Sequence, residues 1–396
     1  MKERLSAKEM GSSFAVSNVY IGAMVGPALV AGTYAAIYFL PNGCDSIWLP
    51  FIACGIVGIM CALASNIIRY FKKYEYGSLA KKIYFDKKIL YIIFEVYVLA
   101  SNIVGAAIVQ NMSGTFMQEI FGMDPVWGMI IIGAISLFLI KYRDTLIRVV
   151  NSVMSVVMLV GFVIITILVV ALCGDQMGEV LSNWTVPADV SVGDGIFRAC
   201  QFAFASSAFA ITLCCVEQPI KKAKQGAWIG IFTTIVGGAM MALSCISFLP
   251  FMGEIAGDSV PLIYVMNNYI APSYPWIPVV YYIIMILAII SSLVPGAYMV
   301  SSRMETIMPT NKFLKTQNMK NMTAATIYMI VATVISLAGL TNVVTIGLNG
   351  ISYVGMPLVV IPICFIWPVI LHKKKKAGIN SYEEEQAIMD AKIEQK

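Results

Sequence analysis

The chain has 396 residues, of which 59% are hydrophobic and 12% are charged, and its mean hydropathy is +0.81. Soluble domains carry about 25% charged residues, so this composition excludes an ordinary soluble protein. The net charge of +5 needs no nucleic acid partner, because it is the sum of a basic inner surface and an acidic outer one on either side of a lipid bilayer.

Basic residues are confined to alternate connections between the apolar stretches. Of the 27 Lys and Arg residues, all but Arg198 fall in six segments: 1–10, 69–88, 141–148, 221–224, 303–320 and 373–396. Basic residues in short loops stay on the cytoplasmic side of a membrane. The pattern therefore predicts a multi-pass protein of the cell membrane with both termini in the cytoplasm.

The apolar stretches have the length that a membrane-crossing helix needs, about 20 residues. Ten spans are predicted: 14–38, 47–68, 89–118, 125–140, 149–173, 195–216, 226–250, 276–300, 323–340 and 346–371. Spans one to five form a first repeat over 14–173, after a cytoplasmic segment 1–13. An extracellular connection, 174–194, leads to a second repeat over 195–371 and a cytoplasmic tail, 372–396. Five spans that start inside and five that start outside form an inverted repeat, which predicts an all-α membrane protein with its site near the midplane.

The first span carries helix-breaking residues at mid-depth, including Gly22, Gly26 and Pro27. Proline removes a backbone donor and glycine tolerates non-helical dihedrals, so an interruption between Gly22 and Pro27 is predicted. A break exposes backbone groups that can hold a substrate, which makes Gly22, Ala23, Met24, Gly26 and Pro27 candidate binding residues. Close helix packing by small residues is the alternative explanation.

The stretches YIGAMVG (20–26) and GLTNVVTIGLNGISYVG (339–355) resemble the YkvI-like membrane proteins of the amino acid–polyamine–organocation superfamily. The resemblance implies a five-plus-five inverted-repeat fold. It also implies secondary transport of amino acids or related small organic solutes.

In sodium-coupled members of that fold, one ion lies between the break of helix one and the middle of helix eight. Span eight contains Ala288, Ser291 and Ser292 at the matching spacing, and Gly22 and Val25 match the helix-one carbonyls. Oxygen ligands of this kind suit a hard cation. The alternative is that both serines bond to carbonyls of their own helix. The coupling ion is left open between sodium and a proton, and no other cofactor or metal is expected.

Span six has neither glycine nor proline between Ile196 and Cys215, so a second interruption, at Ser206–Ser207, is left open. Those serines and Asn102 of span three are polar groups at mid-depth. Because a polar group in that setting needs a hydrogen-bond partner, all three are candidate substrate contacts, with packing as the alternative for the serines.

Two ionisable residues lie within spans. Glu95, near the cytoplasmic end of span three, is a candidate proton site, amine site or inner gate residue; the alternative is that it extends to the surface or pairs with a cytoplasmic lysine. Arg198, about one turn into span six from outside, is a candidate outer gate or anion-attracting residue, or extends to the surface.

Nucleotide-binding and nucleophile motifs are absent, and the only histidine is His372, so an enzyme is not expected. The sequence therefore predicts a secondary active transporter that works by alternating access, without an obligate protein partner. A ligand-sensing receptor subunit, of the kind found in spore germinant receptors, is the alternative. A receptor would bind its ligand without moving it across the membrane.

Overall fold

The computed structural model describes residues 5–140, 157, 160–188, 190–255, 260–305 and 316–394, and within them it contains helices and no strand. The first repeat comprises α1 Ala7–Ala31, α2 Leu49–Phe71, α3 Tyr76–Ile83, α4 Lys88–Phe121, α5 Pro125–Leu139 and α6 Val160–Leu172. The connection between the repeats contains α7 Gly174–Ser182. The second repeat and the tail comprise α8 Val192–Ala205, α9 Phe209–Thr212, α10 Ala223–Phe251, α11 Pro261–Val265, α12 Trp276–Glu305, α13 Gln317–Ser336, α14 Leu340–Lys376 and α15 Tyr382–Glu394.

The predicted spans are mostly helical where they are described, with turns inside some of them, as at 206–208; much of 149–159 in the fifth span lies outside the described residues. Five helices (α2, α4, α10, α12 and α14) are by themselves long and apolar enough to cross a membrane. Others fall short of that test because they are short or interrupted. Helix α5 has 15 residues, and α8 and α9 are two pieces of the sixth span.

The packing repeats between the two halves. Helix α1 packs on α10, the seventh span, and α8 of the sixth span packs on α2. In the two repeats, the first span corresponds to the sixth and the second span corresponds to the seventh. The contact of α8 with α2 is therefore the counterpart of the contact of α1 with α10, as an inverted repeat requires. Helices α2 and α10 cross closely, since a Cβ on Gly58 would lie 2.5 Å from the carbonyl oxygen of Gly230. Small residues permit that approach.

The connection between the repeats is fixed to the turn that joins α1 to α2. The indole nitrogens of Trp48 and Trp184 both donate to Asp45 Oδ1, at 3.0 and 3.3 Å. The amide of Cys44 donates to the carbonyl of Thr185 at 3.0 Å. These bonds tie the connection between the repeats to the first repeat at the end of the bundle predicted to be extracellular.

The basic segment 69–88 contains the short helix α3, whose apolar side faces protein. Leu79, Ala80 and Ile83 are almost fully buried. The tail contains α15, and one side of that helix is docked on the bundle. Tyr382 packs on Phe71 with ring centroids 5.2 Å apart, because an aromatic residue at the start of the tail meets the C-terminal end of α2.

Candidate functional site at the helix interruptions

Helix α1 is interrupted at Gly26, where φ is +27° and ψ is −134°. The interruption lies within the predicted interval, and positive φ explains why glycine occupies it. An ideal Cβ on Gly26 would lie 3.2 Å from the Oγ atom of Ser292. The α1 break therefore lies directly against the middle of α12. Around it Met24 is buried, Gly22 is half-buried and Ala23 is exposed.

The remaining candidate ion ligands on α12 lie beside this contact. Ala288 is 1% exposed, and its carbonyl oxygen accepts a hydrogen bond of 2.8 Å from Ser291 Oγ. Ser291 thus makes the bond within its own helix that the alternative explanation requires. Because it donates in this bond, the Ser291 hydroxyl oxygen keeps its lone pairs as acceptors, whereas the Ala288 carbonyl in the middle of α12 also belongs to the helical hydrogen-bond ladder. Ser292 is the hydroxyl that faces the break.

The sixth span is also interrupted, between the end of α8 and the start of α9 at residues 206–208. Ser207 is fully buried, and its hydroxyl lies 3.1 Å from the hydroxyl of Tyr97 in α4. A Cβ on Gly355 would lie 2.7 Å from the carbonyl oxygen of Phe204 and 2.8 Å from Ser207 Oγ. The break is therefore enclosed by α4 and by the glycine that ends the second YkvI-like stretch.

Sequence reasoning missed Tyr97 and gave no signal for this break. Ser206 has φ −83° and ψ −3°, dihedrals open to any residue, so the turn needs neither glycine nor proline. The one feature of the sequence that is compatible with a break here is the pair of adjacent serines, whose hydroxyls can bond to nearby backbone groups. Tyr97 was indistinguishable from the other aromatic residues of α4.

Asn102 lies one to two turns further along α4 than Tyr97. Its side-chain Nδ2 donates to the backbone carbonyl of Val98 at 2.9 Å. Its backbone carbonyl accepts from the hydroxyl of Tyr328 in α13 at 3.0 Å. The ideal Cβ of Gly296 would lie 3.9 Å from Asn102 Oδ1. Asn102 therefore lies where α4, α12 and α13 meet, and Tyr97 is the α4 side chain that contacts Ser207.

Glu95 forms a two-pronged ion pair with Arg303, near the C-terminal end of α12. Arg303 Nη2 lies 2.6 Å from Oε1, and Nε donates to Oε2 at 3.0 Å. Tyr76 of α3 also donates to Oε2, at 3.2 Å, and Tyr91 accepts from Arg303. Glu95 is therefore paired with a base, as the alternative to a functional role expected, but the base is an arginine of α12 and not a lysine.

Arg198 is half-buried in α8, one turn after Asp194. The Asp194 carboxylate is engaged in capping α8, since its Oδ2 accepts from Ser191 Oγ at 2.7 Å and from the Ser191 amide at 3.0 Å. These hydrogen bonds, and to a smaller extent the charge of Arg198, lower the pKa of Asp194. The acid therefore stays ionised beside Arg198 at the outer end of the sixth span.

A further set of contacts surrounds the N-terminal half of α1, at the end of the bundle predicted to be cytoplasmic. Lys222 Nζ lies 2.8 Å from Glu9 Oε1, and its hydrogen bond is the largest cause of a lowered pKa for Glu9. The hydroxyl of Tyr20 donates to Glu217 Oε1 at 2.8 Å in the interior. Glu217 lies one residue past the predicted end of span six, so the sequence placed it in a loop and gave it no role. Among the described residues, no three His, Cys, Asp or Glu side chains are placed to hold a metal.

No protein-family model and no curated protein matches this chain. Several solved structures are similar to this chain. MhsT in complex with L-phenylalanine is similar with a TM-score of 0.65 and 12% identity, over 88% of each chain. A mutant form of the manganese transporter of Eremococcus coleocola has a TM-score of 0.59 and 11% identity, over 91% of this chain and 81% of its own. A Na⁺-coupled sialic acid symporter has a TM-score of 0.52 and 15% identity, over 90% and 85%.

These similarities cover nearly the whole bundle, so they concern the fold rather than one motif. The chain is an all-α, multi-pass membrane protein with the five-plus-five inverted-repeat fold of these transporters. At identities of 11 to 15% the likeness establishes the architecture only.

Proposed function

We propose that this chain is a secondary active transporter of an amino acid or a similar small organic solute, working by alternating access. The observation that carries the proposal is the pair of interrupted helices. One interruption, at Gly26, lies against Ser292, and the other, at Ser206–Ser207, lies against Tyr97. Interrupted helices near the midplane present backbone groups to a substrate and an ion.

Each interruption supplies a different kind of group. The break in α1 offers N–H and carbonyl groups of residues 22–27 to the charged ends of a zwitterion. The break in the sixth span offers the hydroxyls of Ser206, Ser207 and Tyr97 as hydrogen-bonding groups. A small solute with an ammonium, a carboxylate and a modest side chain fits this combination. Because the similar MhsT structure is a complex with L-phenylalanine, that amino acid is the first to test.

Sodium is the proposed coupling ion at the α1–α12 contact. Carbonyls of Gly22, Val25 and Ala288 with the hydroxyls of Ser291 and Ser292 provide five oxygen ligands of the type that hard cations prefer. Membership of the YkvI-like branch of the amino acid–polyamine–organocation superfamily is part of the same proposal, as are cytoplasmic termini. These rest on the two sequence stretches and on the distribution of basic residues.

A thermal-shift screen of the purified protein tests the binding part of the proposal. Amino acids, starting with L-phenylalanine, should be compared with amines and nucleobases, each with and without sodium. A ligand that binds only the folded state raises Tm by mass action, and we expect an amino acid to do so more strongly with sodium present. No shift with any amino acid would count against this substrate class. Binding without flux in proteoliposomes would instead favour a receptor.

A further inference from the structure

Glu217 is a buried carboxyl group, and no cationic side chain among the described residues pairs with it. It ends the short 3₁₀ turn Cys214–Glu217 that follows α9, and its side chain is 1% exposed. Oε1 accepts the hydrogen bond from Tyr20, which is itself 1% exposed. Oε2 is fully buried and has no hydrogen-bond partner. Ser65 of α2 lies beside the carboxyl without reaching the geometry of a hydrogen bond to Oε2.

The groups that face Glu217 are neutral near physiological pH. They are the phenol of Tyr20 from α1 and the thiols of Cys61 from α2 and Cys214 from its own turn. Glu75 is close enough to act electrostatically on Cys214, and its carboxylate is held by the amides of Gly77 and Ser78 at the start of α3.

Two bases of the described residues are engaged with other acids, and a third, Arg69, is half-buried one turn after Ser65 in α2. Lys222 pairs with Glu9, and Arg303 pairs with Glu95. Burying an ionised carboxylate without a counter-charge is very costly, whereas the protonated acid needs only hydrogen-bond partners. The neutral form of Glu217 is therefore the form that this enclosure favours. Glu95 has the opposite setting, since a guanidinium holds it as a carboxylate.

We propose that Glu217 is a proton-binding site of the cytoplasmic gate. The carboxyl holds one proton while α1 covers it through Tyr20, and gives that proton to cytoplasmic water when the inner half of α1 moves away. Tyr20 keeps its own proton throughout. The role of Glu217 in gating rests on the proposed transporter function, to which it adds a protonation step at the inner end of the pathway. Raising cytoplasmic pH should favour the open state by removing the proton.

The protonation state can be measured without a substrate. Infrared spectra of the purified full-length protein should contain the carbonyl stretch of a buried carboxylic acid at neutral pH. We expect Glu217→Gln to remove that band and Glu95→Gln to leave it. Tyr20→Phe, which keeps the acid but removes its hydrogen-bond donor, should shift the band to higher frequency. A wild type without the band, or a Glu217→Gln protein that retains it, would overturn the proposal. If Glu217→Gln does not fold, the shift of the band in Tyr20→Phe is the deciding measurement.

Opening can be followed at Cys214, a fully buried thiol in the same turn. Replacing Cys200, Cys215 and Cys364 with serine removes the thiols that are exposed or half-buried, and a membrane-permeant maleimide then reports access to Cys214. The ratio of the labelling rate in Glu217-containing protein to that in Glu217→Gln removes the part of the thiol's own titration that the two proteins share. We expect this ratio to rise severalfold with pH, whereas a flat ratio would overturn the gating role. Neither readout depends on the substrate, so failure here is distinguishable from failure of the transporter proposal.

Discussion

The ideal Cβ position of Gly26 in α1 lies 3.2 Å from the hydroxyl oxygen of Ser292 in α12. This contact joins a backbone interruption in the first repeat to a polar pair in the second. It has two separable consequences, one for the backbone of α1 and one for the hydroxyls of α12.

Substitution of Gly26 should be costly for backbone reasons alone. Gly26→Ala introduces a side chain at φ +27° and against Ser292, so we expect a loss of about 1–2 kcal/mol. Gly26→Leu should in addition abolish uptake, because its side chain fills the break. The matched control is Gly105→Ala in α4, where a Cβ meets nothing within 4 Å and the helix should gain stability. Thermal unfolding measures the loss of stability in the Gly26 variants, and uptake measures the loss of transport. A Tm and an uptake rate equal to those of the wild type would show that the interruption has no role.

The serine pair tests the sodium site. Changing Ser291 and Ser292 to Ala together removes two oxygen ligands with little change in packing, so sodium should stabilise the wild type but not the double variant. Ser301→Ala is the matched control, because Ser301 makes the same type of intrahelical bond, 3.0 Å to the carbonyl of Tyr298, away from the break. Equal sodium-dependent Tm shifts in all three proteins would leave the serines as packing residues. Absence of a sodium effect in the wild type would point to another coupling ion.

The Glu95–Arg303 pair should hold the cytoplasmic ends of α4 and α12 together. Both side chains are mostly buried, so Glu95→Gln leaves a guanidinium without its counter-charge, at a cost of about 1–3 kcal/mol. Arg303→Lys should also weaken the pair, since an ammonium cannot make the two-pronged contact. Removing the exposed Lys72–Glu383 pair by Lys72→Gln should cost under about 1 kcal/mol. Chemical denaturation compares the three; equal costs would argue against a special role for Glu95.

Docking of the tail should depend on pH through Glu385. Burial raises the pKa of Glu385, but hydrogen bonds from Lys374 and Tyr70 outweigh it, so the pKa lies below the ordinary 4.5. A lowered pKa means that the contact is stabilising above that value and is lost as pH falls through it. Amide exchange in α15 should therefore accelerate in acid, and Glu385→Gln should show fast exchange at neutral pH already. Asp390→Asn, on the exposed part of α15, is the control. Protection that persists in acid would contradict this assignment.

How much of this could be predicted depends on which physical signal each feature leaves in the sequence. The bilayer imposes length and charge rules, so the ten spans and the break at Gly26, where positive φ demands glycine, are readable from composition and residue type. The break at Ser206 uses dihedrals that any residue adopts, and leaves no such signal. The partners of Glu95 and Glu217 are 208 and 197 positions away along the chain, and contacts of that range come from tertiary packing rather than local pattern.

Uptake by purified protein in sealed liposomes tests the central claim most directly. Radiolabelled L-phenylalanine, together with any amino acid that raises Tm in the screen, should accumulate inside when an inward sodium or proton gradient is imposed. The account predicts concentrative uptake that collapses with the gradient and is absent from Gly26→Leu. An amino acid that binds the wild type yet never crosses the membrane under either gradient would contradict it.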